Sequence, residues 1–198
     1  AKLVKDYPIK SESVICHIRQ ANSGGVSLEN THPFTRQMWG RHWTYAHNGQ
    51  LKSFKDELPV ALHIPVGQTD SEHAFCWILD QLHYQFGQQE PEPAVLFEFV
   101  ASLSQKINPL GVFNLLLSNG DFLFCFCSNN LHWITRRAPF GKASLIDAEM
   151  VVDFQKETTN KDVVTVIATQ PLTDDESWHK MEAGEDRKST RLNSSHVK

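Results

Sequence analysis

Phe122-Leu-Phe-Cys-Phe-Cys127 constrains the fold more than any other stretch of this 198-residue chain. Six successive apolar residues leave an extended strand with no polar face, so both of its sides must be covered. The neighbouring sequence supplies partners. Val112 to Ser118, Leu131 to Arg136 and Asp162 to Thr169 read as further strands. Asn119-Gly120 joins the first of them to Phe122–Ser128 as a hairpin, and Asn129-Asn130 turns the next pair.

Upstream, the apolar period changes from two residues to 3.6. Thr69 and Glu72 occupy the N-cap and N3 positions of a capping box. A stripe follows at Phe75, Ile78, Leu79, Leu82 and Phe86. Glu90-Pro-Glu-Pro93 opens a second helix with Leu96, Val100, Leu103 and Ile107 facing inward, and Asn108-Pro109 ends it. Helices followed by antiparallel strands indicate an α+β fold. A four-layer αββα sandwich covers both faces of the apolar strands. Nearer the start, Ser13–Ile18 and Arg41–His47 are strand candidates, Asn22-Ser-Gly-Gly25 is a loop, and Asn48-Gly49 turns the chain.

Forty per cent hydrophobic residues, with 12 Phe, can fill such a core, and 21% charged residues exclude wholesale disorder. The net charge of -4 gives no electrostatic footprint for nucleic acid. No apolar run is long enough to span a membrane and no secretory segment is visible. The four cysteines at 16, 76, 125 and 127 lie in apolar surroundings. Cys125 and Cys127 share one strand face, which suits reduced thiols better than a disulfide. Reduced thiols favour the cytoplasm.

Both ends read differently from the body. Residues 186–198 hold only Leu192 and Val197 as large apolar residues. They are expected to form a disordered, non-native tail, leaving residues 1–185 as the folded domain. The chain opens on Ala1 without an initiator Met, and Ala1–Tyr7 resembles the last turns of an amphipathic helix. The expectation is a chain lacking its N-terminal portion.

Three groups of residues can carry chemistry. Asn48-Gly49 suits a type I′ turn, yet an Asn amide and a Gly N–H can also converge on one developing oxyanion. Arg19 ends an apolar strand candidate and offers a planar fork to a carboxylate. Asp70 stands in the first helical turn, where it complements the helix dipole and could also pair with an ammonium group. Together Arg19 and Asp70 would read a free amino acid. His17, His32, His42 and His47 lack metal-ligand spacing, so no metal site is assigned. Adjacent strand residues face opposite ways, so Cys16-His17 is not read as a catalytic pair. None of the four cysteines is nominated as a nucleophile.

The ordered set His17-x-Arg19-x-Ala21, Asn30-Thr-His-Pro-Phe34, Ala46-His-Asn-Gly49 and Thr69-Asp-Ser-Glu72 resembles the class II glutamine amidotransferases. Leu131-His-Trp-Ile-Thr-Arg136 and Ala168-Thr-Gln-Pro-Leu172 add to the likeness, which runs from about Lys2 to Glu185. It is nearest to the stand-alone bacterial type. The resemblance implies an N-terminal-nucleophile αββα sandwich, incomplete here at both ends, with no cofactor. It implies hydrolysis of the glutamine side-chain amide by an N-terminal cysteine whose α-amine moves the proton. Arg19 would hold the substrate carboxylate, Asp70 its ammonium, and Asn48 with Gly49 the oxyanion. Ammonia would pass to a separate acceptor or partner subunit. Ala1 cannot replace the nucleophile, so the chain as it stands is expected to be inactive. Hydrolysis of γ-glutamyl peptides with a partner subunit, and glutamine binding without cleavage, are the alternative readings.

Overall fold

The computed structural model describes residues 11–18, 27–146, 151–156 and 158–190. Strands β1 (Phe34–Met38), β2 (Arg41–Leu51), β3 (Gly111–Ser118), β4 (Phe122–Phe126) and a last strand, Asp186–Thr190, form a five-stranded antiparallel sheet in the order β1-β2-β3-β4-last. A short helix α1 (Phe54–Glu57) precedes the two main helices, α2 (Asp70–Phe86) and α3 (Pro93–Ile107). These cover one face of the sheet. Strand alternation sends Trp43, Tyr45, Leu51, Phe113, Leu115, Leu117, Phe124 and Phe126 toward them, against Phe75, Ile78, Leu79, Leu82, Leu96 and Val100. Tyr45 stacks on Phe75 with ring centroids 4.9 Å apart.

A second sheet covers the other face. Strand β5 (His132–Arg137) lies between β8 (Val163–Ala168) and the two-residue strand β9 (His179–Lys180). A further pair, β6 (Lys142–Ser144) and β7 (Val151–Asp153), adjoins it in sequence. Cys125, Cys127 and Leu116 of the first sheet meet Trp133 and Ile167 of the second, with Leu131 and Met181 between. Helix, sheet and sheet thus form three successive layers of an α+β fold, and the doubly apolar strand at 122–126 lies in the middle one. The described residues supply no helix on the outer face of the second sheet.

Three expectations are corrected. First, Asp186–Thr190 is a strand, β10, paired with β4 from Asp186↔Phe126 to Thr190↔Phe122. The Arg187 guanidinium stands 4.1 Å over the Trp133 ring, and Lys188 Nζ lies 5.7 Å from the Phe97 ring centre. An edge strand can be held by its ladder and by amphipathic stems without apolar residues of its own. Residues 191–198 lie outside the described set. Second, Ser13–Ile18 joins no described ladder, and Ile18 is 98% exposed. An apolar segment becomes a strand only where a sheet edge receives it. Third, the turn beside β2 comes before it, at Trp39-Gly40, where φ is +53° and +73°. Trp39 is held there by Nε1 donating to Gly87 O at 2.9 Å and by edge contact with Trp43.

Candidate active site

Asn48-Gly49 lies inside β2 and does not turn the chain. Its register runs unbroken through Asn48↔Asn114 and Gly49↔Phe113 to Leu51↔Gly111. The glycine serves a close approach instead. At Gly49 (φ +152°) a Cβ would stand 1.9 Å from Val112 O and 2.8 Å from His47 Nε2. Across the ladder, a Cβ on Gly111 would stand 2.1 Å from Gln50 O. The two strands are therefore closer here than any side chain would permit.

Among the described residues, one edge of β2 is unpaired at this point. β1 pairs with β2 only as far as Phe34↔Tyr45, whereas β3 continues to Leu51. Leu51 N uses the open edge, donating to Asp70 Oδ2 at 2.6 Å. The next amide, Lys52 N, turns the opposite way to Leu110 O at 2.9 Å. Amides two residues apart leave a strand on the same side, about 7 Å apart. The Gly49 N–H therefore faces the edge that the Asp70 carboxylate occupies. Asp70 is delivered there by the start of α2, where Thr69 Oγ1 caps the helix by accepting from Glu72 N at 3.1 Å. Asp70 Oδ1 also accepts from Ser71 N at 2.9 Å. A carboxylate has about four acceptor positions, so capacity remains for a cation.

The second half of the capping box takes another form. Glu72 reaches Val66 N at 3.0 Å and Gly67 N at 2.6 Å and pairs with Arg36, where a reciprocal bond to Thr69 N was expected. This ties the loop before α2 to β1.

His47 lies under Gly49 on the helix-facing side and is buried. Its Nε2 donates to Val112 O at 2.9 Å, because a carbonyl can only accept. Nδ1 therefore accepts from Ser71 Oγ, also at 2.9 Å. Burial lowers its pKa below the usual imidazole value, with the Val112 carbonyl and Asp70 opposing and His17 adding to the fall. A neutral His47 fills the space a Gly49 side chain would need. Burial, Asp70 and Cys76 likewise raise the Tyr45 phenol well above its ordinary value.

Asn48 points to the inter-sheet side and is exposed. Its cross-strand partner Asn114 is buried. Asn114 Oδ1 accepts from three successive amides, Ser128 N, Asn129 N and Asn130 N, at 3.0, 3.2 and 3.2 Å. Asn114 Nδ2 donates to Asn129 Oδ1 at 2.8 Å, Asn48 O at 3.2 Å and Asn48 Oδ1 at 3.3 Å. Sequence reasoning missed Asn114. Its one signal is an amide in the otherwise apolar Val112-Phe-Asn-Leu-Leu-Leu117.

Asn48, Gly49 and Asp70 are thus brought to one region, while Arg19 lies outside the described residues. Cys76, Cys125 and Cys127 are buried. Burial pushes the Cys76 thiol up to about 11 and the Cys125 thiol up to about 12, and raises that of Cys127. Of the four histidines expected to be structural, His42 and His47 lie in β2, where the His42 ring meets Gln37 Nε2 at 3.0 Å, and the His17 and His32 ring centroids lie 4.2 Å apart. Among the described residues no group of three His, Cys, Asp or Glu could hold a metal, and no helix is long and apolar enough to cross a membrane. A cavity of about 390 Å³ lies elsewhere, beside β5 and β6. Arg136, among the cations lining it, pairs with Glu176 at 2.7 and 2.5 Å, and none of Asn48, Gly49 and Asp70 lines it.

Comparison with known proteins shows the family. Residues 1–191 match the family model described as glutamine amidotransferases class-II. YafJ of Escherichia coli (strain K12), a glutamine amidotransferase by name, is 58% identical over 185 residues, covering 93% of this chain and 72% of its own. A protein of Haemophilus influenzae with the same designation is 46% identical over 184 residues, covering 93% of this chain and 62% of its own. The crystal structure of a predicted glutamine amidotransferase from Pseudomonas aeruginosa superposes with a TM-score of 0.78 at 52% identity, over 88% of this chain and 68% of that one. The chain thus spans between three fifths and three quarters of these relatives.

Proposed function

Because the chain belongs to the class II glutamine amidotransferases, we propose that its domain binds glutamine at the open edge of β2 and hydrolyses the side-chain amide. The reading is carried by the Gly49 N–H and the Asp70 carboxylate sharing that edge, with the exposed Asn48 amide beside them. The amide oxygen lies at Asn48 Nδ2 and Gly49 N. The α-ammonium lies against Asp70, and the α-carboxylate against Arg19. The thiolate of an N-terminal cysteine attacks the amide carbon, and the two donors hold the oxyanion as it forms. The cysteine's own α-amine carries the proton to the departing ammonia. Water then cleaves the thioester to release glutamate, and the ammonia passes to an acceptor or partner subunit. Cys76, Cys125 and Cys127 are too deeply buried to serve.

Glutaminase kinetics on the full protein with its N-terminal cysteine test this. Asn48→Ala is expected to lower kcat by about 10²–10³ with little change in KM. Asp70→Asn is expected to raise KM more than it lowers kcat. A γ-glutamyl peptide assayed in parallel identifies the better leaving group. Wild-type kcat in Asn48→Ala removes the assignment.

A further inference from the structure

We propose that Asn114 is the positioning residue that aims the Asn48 amide, so that the oxyanion donor is oriented by a side chain on the neighbouring strand. This rests on the reading of Asn48 given above. The orientation of Asn114 itself is fixed, because three main-chain N–H groups converge on its Oδ1 and an NH2 group cannot accept them. Its Nδ2 must then face Asn48 and Asn129. An NH2 group facing Asn48 selects the Asn48 carbonyl oxygen as its neighbour. The Asn48 NH2 is consequently turned outward, to the exposed side where a substrate oxygen would lie.

The same residue ties the Ser128–Asn130 loop to β3, with Ser128 Oγ donating onward to Asn108 Oδ1 at 2.7 Å. A purely structural role and a positioning role therefore need to be separated. Asn114→Asp does so. One carboxylate oxygen keeps the three loop amides, which are suited to an anion. The other replaces Nδ2 and repels Asn48 Oδ1. Asn48 then rotates to donate inward and presents its carbonyl oxygen to the developing oxyanion.

The experiment compares the full protein with its Asn48→Ala, Asn114→Asp and doubly substituted forms. Glutaminase kinetics are combined with hydrogen exchange of the Asn48 side-chain amide, its NMR signal assigned by its loss in Asn48→Ala. Asn114→Asp is expected to lower kcat at least about 100-fold with KM within about threefold. The double variant should be no slower than Asn48→Ala. The Asn48 NH2 protons, open to solvent in the native protein, should become protected in Asn114→Asp. Near-native kcat in Asn114→Asp, or a double variant slower than Asn48→Ala by the full product of the two effects, overturns the proposal. If Asn48→Ala keeps native kcat, or the native protein does not hydrolyse glutamine, the oxyanion reading has failed. The exchange measurement then decides alone: unchanged Asn48 protons in Asn114→Asp overturn the positioning role, and newly protected ones uphold it. Should the aspartate variant not fold, Asn114→Ala is judged by the same comparison with Asn48→Ala.

Discussion

Gly49 and His47 occupy one space between them. The imidazole stands where a Gly49 Cβ would project, and the Val112 carbonyl closes the remaining gap. Gly49→Ala therefore forces the strand pair to move, and the buried ring with it. The expected cost is about 4 kcal/mol, combining backbone strain at positive φ with overpacking. Urea unfolding measures it, and a loss below about 1 kcal/mol would show that the two strands part freely here. At this scale Asn48, Gly49 and Asp70 stand out as candidates in the sequence because each carries a group whose chemistry is visible in its type, and the fold brings the three to one region. The turn reading of Asn48-Gly49 was not sustained, because a glycine that tolerates close approach looks the same in sequence as one that tolerates a turn. Asn114 was hidden by the opposite effect: amid apolar neighbours its importance lies in six partners supplied by distant residues.

At the scale of elements, the first part of the loop between α1 and α2, at Ala61–His63, is held by one carboxylate. Asp80, buried in the middle of α2, accepts from Ala61 N at 2.6 Å, Leu62 N at 3.1 Å and His63 N at 2.8 Å, and meets His63 Nδ1 at 2.7 Å. Burial alone would raise its pKa, but these hydrogen bonds outweigh burial and hold it below the usual value. The sign follows directly: the stabilisation is complete above the unfolded-chain value of about 3.9 and is lost as pH falls through the lower folded-state value. Asp80→Asn keeps the shape but turns an NH2 toward donors. It is expected to destabilise the fold by about 2–4 kcal/mol at neutral pH. It should also flatten the acid limb of a plot of melting temperature against pH, and an unchanged limb would assign the acid sensitivity elsewhere. The helices themselves were legible from end to end, since their stripes, caps and prolines are all local. β1 was not, because its hairpin uses Trp39 at positive φ, a residue held there by Gly87 and Trp43 and not by turn propensity.

For the whole molecule, the position of β10 matters most. It covers the outer edge of β4 and sets Arg187 over Trp133, linking the two sheets. Removing residues 186–190 is expected to lower the melting temperature by about 5 °C or more and to promote association through the uncovered edge. Calorimetry and size-exclusion chromatography read the two effects. A monomer of native melting temperature would show the strand to be dispensable. The layer order was legible in outline from strands with no polar face. β10 was not, because an edge strand of charged residues is indistinguishable from a solvated tail until its partner is known. Gly49 of β2 and Gly111 of β3 also limit how this protein can diversify. Gly49 and Gly111 each face a main-chain oxygen belonging to the other's strand, so no replacement at either is relieved by trimming a neighbouring side chain. A library randomised across these positions would consist largely of chains that cannot close the sheet. New substrate preferences are more readily sought at Gln50, which is exposed in the same strand and has no such constraint on its side chain.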